Sequence, residues 1–330
     1  MTRIIDMHTH TFSKRAEELV HGIYDPATNP YRRDMSQESR DTDAGNRVRT
    51  AAMLNSIERR LADMAQMRID MQVIAPAPAQ QHYWAEPDLL ASLSGTQNDH
   101  IAAMVAEAPT RFAGMGTLPL SAPDRTVIEA TRCVEELGLR GFQIDSRIGG
   151  RELSDAVFDP VWARVAKLNV PLFIHPLGFS DGARLGPFFM VNTVGQPLEE
   201  VIAINHLVFG GILDRHPDLK VVIAHGGGYF PFYLGRVDHA WKVRPELHRL
   251  CADAPSTYTR RMWFDTCVFN ATEVEALVAQ AGAERVMLGS DYPFDMGDTN
   301  PVALVESCMT LDEDQRNLIL GNAAAALFGL

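Results

Sequence analysis

The sequence predicts an α/β fold, a (β/α)8 barrel of the TIM-barrel type with a long inserted loop after its first strand. Two observations support this prediction: short β-rich runs alternate with amphipathic helical stretches, and eight such runs occur within 330 residues. With 46% hydrophobic residues, the chain can also bury a large core. The β-rich runs lie at about residues 3–7, 71–76, 112–118, 140–144, 171–175, 220–225, 262–266 and 285–289.

Helical stretches with one apolar face separate most of these runs. Because strands that alternate with helices pair in parallel, this order favours a closed barrel, and a doubly wound open sheet is the structural alternative. No repeat, low-complexity tract or linker interrupts the pattern, so residues 1–330 are expected to form one domain. The helical stretches are 55–67, 98–108, 125–137, 160–168, 198–213, 272–281, 301–309 and 312–327.

The segment from Thr11 to Leu54 breaks this alternation. It is polar and rich in Arg and Asp, as in NPYRRDMSQESRDTDAGNRVRT, and it contains no clear strand. Connections of this length are unusual within a compact domain, and they are usually functional or disordered. Because the segment follows the first strand, it would lie over the C-terminal mouth of the barrel, where active sites of this fold lie. We expect a lid or substrate-binding loop, with a plain surface excursion as the alternative.

Charge and composition limit the class of partner and the compartment. A formal net charge of −12 argues against nucleic acid, because phosphate contacts need a basic stripe. No apolar run approaches the ~20 residues of a membrane span, and the N-terminus lacks the apolar region of a signal peptide. The four cysteines lie far apart without a CxxC pair, which favours reduced thiols over disulfides. We therefore expect a cytoplasmic protein without nucleic-acid or membrane partners.

Two histidines one residue apart end the first predicted strand, in MTRIIDMHTH. On an extended strand, His8 and His10 point to the same face, because strand side chains alternate with a period of two. Two neutral imidazoles on one face are half of a metal site, and histidine is the commonest metal ligand. Since the chain contains 11 histidines, a chance pair is the alternative for this motif taken alone.

Three further polar residues stand at the ends of predicted strands: His175 in FIHP, His225 in IAHGGG and Asp291 in GSDYPF. Together with His8 and His10 they would share one rim of a barrel, although they are spread over nearly the whole chain. Taken singly, a histidine behind an apolar strand is more often a hydrogen-bonded core residue. All five together indicate a metal centre with three or four N and O ligands and an open position.

These residues carry a resemblance to a known family. The succession IDMHTH, FIHP, AHGGGYFPFYLGR and RVMLGSDYPF resembles the amidohydrolase superfamily, and within it the branch of 2-amino-3-carboxymuconate-6-semialdehyde, γ-resorcylate and 5-carboxyvanillate decarboxylases. The resemblance spans essentially the whole chain, and HGGG followed by LGR and GSDYPF is its most specific part. It implies a carboxy-lyase: a metal-dependent, non-oxidative decarboxylase of an aromatic or muconate-type carboxylate in aromatic-compound or tryptophan-type catabolism.

The resemblance also implies roles for single residues at the predicted rim. His8, His10, His175 and Asp291 correspond to the ligands of one divalent ion, Zn²⁺ or alternatively Mn²⁺. His225 corresponds to the general acid/base beside the metal. Asp291 is the second catalytic candidate, because it could move the proton as well as bind the metal. A lysine that bridges two metals is not expected, since none of the four lysines ends a central strand.

Arginines are expected to bind the substrate carboxylate. Arg236 corresponds to the arginine that a neighbouring subunit supplies in muconate semialdehyde decarboxylases, which implies a homodimer or a higher homo-oligomer. For a second arginine, in the segment after strand 1, the match falls between Arg49 and Arg47 in NRVR, with Arg49 named first. The segment APAPAQQHYW after strand 2 departs from the decarboxylases, and this leaves the identity of the small-molecule carboxylate open.

Other functions fit parts of the sequence. Related amidohydrolases use such a site to hydrolyse lactones, amides or carbon–carbon bonds or to hydrate double bonds, so a metal-dependent hydrolase or hydratase is the main alternative. GFSDG, around Ser180, matches a nucleophile elbow and HGGG an oxyanion-hole loop, but in α/β-hydrolases that loop precedes the nucleophile, whereas here it follows by about 45 residues. A non-catalytic metal-binding scaffold is disfavoured, because all five rim residues are present.

Overall fold

A computed structural model describes residues 2–25, 29–179 and 181–330 of the chain. Within this part, eight parallel strands build a barrel and two further strands form a short antiparallel hairpin. The strands are Ile5–Thr11 (β1), Met71–Pro76 (β2), Phe112–Gly116 (β3), Gly141–Ile144 (β4), Arg147–Ile148 (β5), Arg151–Glu152 (β6), Leu172–Ile174 (β7), Val221–Ile223 (β8), Met262–Asp265 (β9) and Val286–Met287 (β10).

The barrel strands follow chain order, β1–β2–β3–β4–β7–β8–β9–β10. Backbone hydrogen bonds close the gap between the last strand and the first: Met7 N donates to Leu288 O at 2.9 Å, and Asp291 N donates to His8 O at 2.9 Å. The predicted (β/α)8 barrel is therefore confirmed, and the open-sheet alternative is wrong. Because the two ends of the sheet meet, residues near both ends of the chain become neighbours.

Helices surround the barrel, and those that cover it bury one face. In the helix that precedes β7, for example, Val161, Trp162 and Val165 are buried, as apolar residues with helical spacing predict. The helices are Lys14–Val20 (α1), Pro30–Arg33 (α2), Gln37–Asn55 (α3), Ile57–Gln66 (α4), Pro87–Glu107 (α5), Pro123–Glu135 (α6), Asp159–Leu168 (α7), Gln196–Phe209 (α8), Ile212–Arg215 (α9), Leu234–Val243 (α10), Pro255–Thr259 (α11), Ala271–Ala281 (α12), Pro301–Glu306 (α13), Glu313–Asn317 (α14) and Ala323–Phe328 (α15).

Alternate strand residues build two apolar cores. In β8, Val221 and Ile223 pack against the surrounding helices, whereas Val222 points into the barrel interior. The interior core also contains Met7 of β1 and Phe173 of β7, and helix α15 packs against it. Because apolar side chains fill the interior, the polar side chains of the site lie at the C-terminal ends of the strands.

The segment from Thr11 to Leu54 is largely helical, so the predicted long loop is wrong in its local structure. Apart from residues 26–28, which lie outside the described part, it contains α1, α2 and most of α3. The side chains of Ser13 and Ser36 cap α1 and α3 by accepting a backbone N–H three residues on. Hydrophobic spacing does not indicate α3, because only Thr50 and Leu54 of this helix are buried.

Other predicted boundaries shift for local reasons. Helix α5 begins at Pro87 rather than near residue 98, since proline is well suited to the first turn of a helix. The helix predicted over 198–213 is divided where Gly211 takes a left-handed conformation, and the one predicted over 312–327 contains a π-helical turn at Leu318–Asn322. Among the described residues, no helix is both long and apolar enough to cross a bilayer.

Candidate active site

Four side chains converge at the C-terminal ends of β1, β7 and β10. They are His8, His10, His175 and Asp291, and one N or O atom of each lies within 4.8 Å of all the others. The Nε2 atoms of His8 and His10 are 3.1 Å apart, so the two histidines share a face as their spacing predicts. Asp291 Oδ1 lies 3.0 Å from His10 Nε2 and 3.3 Å from His8 Nε2. All four residues are buried.

Each histidine of this cluster has its Nδ1 atom hydrogen-bonded away from the centre. His10 Nδ1 donates to Pro76 O at 3.1 Å, and His175 Nδ1 donates to the carbonyl of the next residue at 3.0 Å. His8 Nδ1 lies 2.7 Å from Asp265 Oδ2. With Nδ1 occupied in this way, Nε2 is the atom that each imidazole presents to the centre, which is how metal-binding histidines are usually held.

The donor set fits a divalent cation. His175 Nε2 is buried and has no hydrogen-bond partner among the described residues, although buried polar atoms are normally paired. Burial lowers the pKa of His175 to about 3 and also lowers the pKa of His10, so both imidazoles are neutral and can act as ligands. Burial opposes ionisation of Asp291, but the charge of His8 and the hydrogen bond of His10 hold its pKa well below the usual value. Three imidazoles and a carboxylate suit Zn²⁺ or a similar ion.

His8 shows that positive charge is favoured at the centre. Burial alone would lower the pKa of His8, but the charge of Asp291 and the hydrogen bond to Asp265 outweigh burial and raise it to about 9. Either a proton on His8 Nε2 or a divalent ion bound between the ligands would neutralise the negative charge of these carboxylates. The negative charge of Asp291 and Asp265 therefore favours a cation at this site, in addition to the ligand type.

Asp265, at the end of β9, is a site residue that the sequence prediction missed. Besides its bond to His8, it accepts hydrogen bonds from the backbone N–H groups of His225 at 3.1 Å, Gly226 at 3.0 Å and Cys267 at 3.0 Å. This carboxylate thus holds both a ligand of the cluster and the turn that carries His225. Its position at the end of a β-rich run, in MWFDT, is the same signal that selects Asp291.

His225 borders the cluster without belonging to it. It follows β8 in a left-handed conformation with φ of 49°, and its Nε2 lies 3.8 Å from Asp291 Oδ2. The ring centroids of His225 and His175 are 5.0 Å apart. On its other side, Nδ1 makes a short hydrogen bond to Glu200, a second residue that the sequence prediction missed. Burial lowers the pKa of His225, but Glu200 and Asp291 more than offset this and raise it well above the usual value.

The three predicted substrate arginines lie outside the cluster. Arg236, on α10, is exposed. Arg49, on α3, lines a cavity of about 200 Å³ together with Phe294, the residue whose ring lies 5.1 Å from that of His10. Arg47 is on another face of α3, close to Asp43. Burial and the charge of Asp295 raise the pKa of Asp43, and the charge of Arg47 offsets this only in part. Within one chain, the structure does not bring these arginines into contact with the cluster.

The unusual segment after strand 2 lines a second cavity at the barrel mouth. Gln81 and Trp84 border this space of about 420 Å³, together with Asp145 after β4 and Leu177, which is two residues beyond His175. Gln81 is buried, and its amide has no hydrogen-bond partner among the described residues. The segment that departs from the decarboxylase pattern therefore borders a cavity whose wall also includes Leu177, two residues after His175.

The serine-hydrolase interpretation finds no support in the HGGG turn. Ser180 lies outside the described residues. An oxyanion hole needs free backbone N–H groups, but those of His225 and Gly226 donate to Asp265, and that of Gly227 donates to Ala224 O at 2.9 Å. These amides are therefore used to hold the turn.

Comparison with known proteins identifies the family of the chain. The family model described as amidohydrolase matches residues 5–330. The chain is 37% identical over 275 residues to 2-amino-3-carboxymuconate-6-semialdehyde decarboxylase of Dictyostelium discoideum, covering 82% of this chain and 76% of that protein. It is 30% identical over 298 residues to gamma-resorcylate decarboxylase of Rhodococcus jostii strain RHA1, covering 85% and 89%.

Solved structures show the same fold. The crystal structure of 5-carboxyvanillate decarboxylase from Sphingomonas paucimobilis matches with a TM-score of 0.87 and 26% identity over 100% of both chains. A dihydroxybenzoic acid decarboxylase from Polaromonas sp. JS666, with bound manganese and the inhibitor 2-nitroresorcinol, matches with a TM-score of 0.81 and 24% identity over 100% of this chain and 98% of that one. The family match over almost the whole chain, the two curated relatives and the shared fold show that this protein belongs to the amidohydrolase family.

Proposed function

We propose that this amidohydrolase is a metal-dependent, non-oxidative decarboxylase that acts on a muconate-type or aromatic carboxylate. The observation that carries the proposal is the cluster of His8, His10, His175 and Asp291 with His225 beside it. The two curated relatives described above, at 37% and 30% identity, are both decarboxylases. Their substrates, a muconate semialdehyde and a dihydroxybenzoate, define the class expected here.

The residues of the site have different proposed roles in the reaction. A divalent ion held by the four ligands would supply the positive charge that binds and orients the substrate carboxylate. His225 presents Nε2 on the side of Asp291, and one of these two groups gives a proton to the carbon that bears the carboxylate. The carbon–carbon bond then breaks, its electron pair stays on that carbon and restores the conjugated system, and CO₂ leaves. Buried surroundings keep bulk water from competing for the proton.

Zn²⁺ is the proposed ion, with Mn²⁺ as the alternative. Three imidazole nitrogens and one carboxylate oxygen are ligands that zinc commonly takes, usually with a remaining position open in enzymes. Manganese is the metal bound in the Polaromonas structure described above. The donor set suits either ion, so both belong in the assays.

A homodimer or higher oligomer is part of the proposal, with Arg236 reaching the site of a neighbouring subunit. Arg236 is exposed, and three exposed aromatic residues, Tyr229, Phe232 and Tyr233, lie directly before α10. Exposed apolar groups next to one another typically mark an interaction surface. Within the same chain, Arg49 is proposed to bind the substrate carboxylate, with Arg47 as its rival, because arginine binds carboxylates in two-point contacts.

A cytoplasmic location also belongs to the proposal. All four cysteines are buried and free, although buried thiols in an oxidising compartment are commonly paired. No contact with nucleic acid or membrane is proposed, in keeping with the net charge of −12.

Release of the carboxyl carbon tests the function. Muconate-type and ortho-hydroxybenzoate substrates carrying ¹³C in the carboxyl group are incubated with protein loaded separately with Zn²⁺ and Mn²⁺, and lactones and amides are assayed in parallel. We expect metal-dependent release of ¹³CO₂ from at least one carboxylate and no hydrolysis. Hydrolysis of a lactone or amide without ¹³CO₂ from any carboxylate would overturn the proposal in favour of a hydrolase.

A further inference from the structure

Glu200 stands next to the metal centre without being one of its ligands. It lies near the N-terminus of α8 and is completely buried. A buried carboxylate is costly unless it is paired. Its Oε1 accepts a short hydrogen bond from His225 Nδ1, and its Oε2 has no hydrogen-bond partner among the described residues. The hydrogen bonding of this buried group is therefore directed at the histidine proposed to carry the proton.

The hydrogen bond from His225 to Glu200 decides which ring nitrogen faces the centre. Burial raises the pKa of Glu200 to about 7, whereas the charge and hydrogen bond of His225 lower it. The ionised carboxylate can only accept, so the hydrogen of this bond lies on Nδ1 of His225. Nε2 is then left on the side of Asp291, 3.8 Å from its Oδ2. Turning the ring over would put the carbon Cδ2 in the place of Nδ1 and break the bond, leaving Glu200 buried without a partner.

Two carboxylates from different elements hold His225. Asp265, on β9, fixes the backbone of the turn through the N–H groups of His225 and Gly226. Glu200, on α8, fixes the side chain. His225 has a strained left-handed backbone, and such a conformation persists only where surrounding contacts hold it. Here the two carboxylates fix both the main chain and the orientation of the ring.

A glycine makes the approach of α8 possible. A Cβ atom at Gly228 would lie 2.3 Å from the carbonyl oxygen of Pro197 and 3.0 Å from Glu200 Oε2, and Gly228 also has a φ of +61°. Only glycine accepts that backbone and that distance. The third glycine of HGGG therefore allows the first turn of α8 to bring Glu200 to His225.

We propose that Glu200 is a positioning residue for His225. It keeps a hydrogen on Nδ1 in both the neutral and the protonated ring, and it keeps Nε2, the nitrogen that gains and loses the transferred proton, directed at Asp291 and at the reacting carbon. The catalytic consequence rests on the proposed function, because it requires His225 to move the proton. The tautomer and the orientation of the ring do not depend on the reaction.

Glu199 provides a matched control for the test. It is the preceding residue on α8 and is also buried, but it accepts a hydrogen bond from Ser146 Oγ at 2.9 Å rather than from His225. Glu200→Ala, Glu200→Gln and Glu199→Gln are compared with the unaltered protein for kcat, KM and bound metal. The tautomer is read from the ¹⁵N resonances of the His225 ring in zinc-loaded protein with labelled histidine, assigned through His225→Asn.

We expect Glu200→Ala to lower kcat about 10- to 100-fold, the range for loss of an outer partner at such sites. KM and bound metal stay the same, and the neutral ring of His225 no longer holds its hydrogen on Nδ1 alone. Glu200→Gln, whose amide oxygen can accept the same bond, recovers most of kcat and keeps the tautomer, but its Nδ1–H resonance moves because the acceptor is uncharged. Glu199→Gln leaves the His225 resonances in place.

Unchanged kcat and tautomer in Glu200→Ala would overturn the inference, and so would a lower kcat with an unchanged tautomer. If Glu200→Ala fails to fold, Glu200→Gln decides the matter, since an unmoved Nδ1–H resonance in that variant would show that Glu200 does not hold the ring. If the unaltered protein has the tautomer but releases CO₂ from no carboxylate, the proposed function fails while the positioning of His225 stands.

Discussion

At the scale of single residues, the histidines of the site differ in what their Nδ1 atoms touch. His10 and His175 donate to backbone carbonyls and are neutral, as metal ligands must be. His225 instead pairs with the carboxylate of Glu200, which favours its protonated form. These different partners suit the different tasks proposed for the imidazoles of this rim, binding the metal and carrying the proton.

Replacement of His225 tests this division. In His225→Asn the four ligands of the cluster remain, so we expect one equivalent of bound metal and a loss of about 10² or more in turnover, the scale of general acid/base catalysis. Metal content by elemental analysis and the rate of CO₂ release are measured on the same sample. His206→Gln, which alters a half-buried histidine of α8 bonded to Ser154, serves as the control. Loss of metal in His225→Asn would make His225 a ligand and contradict its role.

The rim residues could be predicted from the sequence because the ends of the strands can be recognised there. A polar residue directly after a β-rich run locates His175 and Asp291, and the same criterion applied to MWFDT would also have located Asp265. Glu200 has no such signal. Its contact with His225 depends on how closely α8 approaches the turn after β8, a distance set by packing at Gly228 rather than by any pattern in the helix.

At the scale of elements, helix α3 determines how the inserted segment meets the site. Asn46 Nδ2 donates to Asp295 Oδ2 at 2.7 Å, which ties this helix to the chain beyond β10. Successive helical residues turn by about 100°, so Arg47 and Arg49, two residues apart, point in nearly opposite directions. Only one of them can serve a given substrate position.

Substitution of each arginine separates the two candidates. Arg49 shares its cavity with Phe294, so we expect Arg49→Ala to raise KM about tenfold or more, as expected for a lost hydrogen bond to a charged group. Arg47→Ala is then the control from the same helix, with KM little changed. Steady-state kinetics with the substrate found in the CO₂ assay measures both. The reverse pattern would transfer the role to Arg47.

The elements themselves could be predicted where burial leaves a pattern. Strand β2 has all six residues buried and is recognised over its full length, Met71–Pro76. Helix α3 could not be recognised, because just two of its residues are buried and its polar sequence reads as a loop. The hairpin of β5 and β6 escaped prediction because two residues per strand are too few to show alternation.

At the scale of the whole molecule, closure of the barrel is what assembles the site. Because the strands follow chain order, β1 meets β10, and Asp291 N donates to His8 O across the junction. Residues 283 positions apart, 291 minus 8, therefore bind the same centre. That residues 1–330 act as one domain, and that the active protein is an oligomer, both stay predictions.

Mixing of inactive variants tests the oligomer. If Arg236 serves the neighbouring subunit, Arg236→Ala and His225→Asn each impair every site of a homodimer, but a mixed dimer contains one site with both residues intact. We expect activity to return when the two variants are dissociated together and reassembled. The control is each variant treated alone in the same way. Mixed dimers that form, as shown by mass spectrometry of differently tagged subunits, but stay inactive would contradict the shared site.

The most direct test of the account is a metal titration of CO₂ release. Protein stripped by a chelator is titrated with Zn²⁺ and, separately, with Mn²⁺, while bound metal and CO₂ from the active carboxylate are followed in the same samples. The account predicts that stripped protein is inactive and that activity rises in proportion to bound metal up to one equivalent per chain, with no such rise in His175→Ala. Full CO₂ release from stripped protein, or one bound equivalent per chain without CO₂ release, would contradict it.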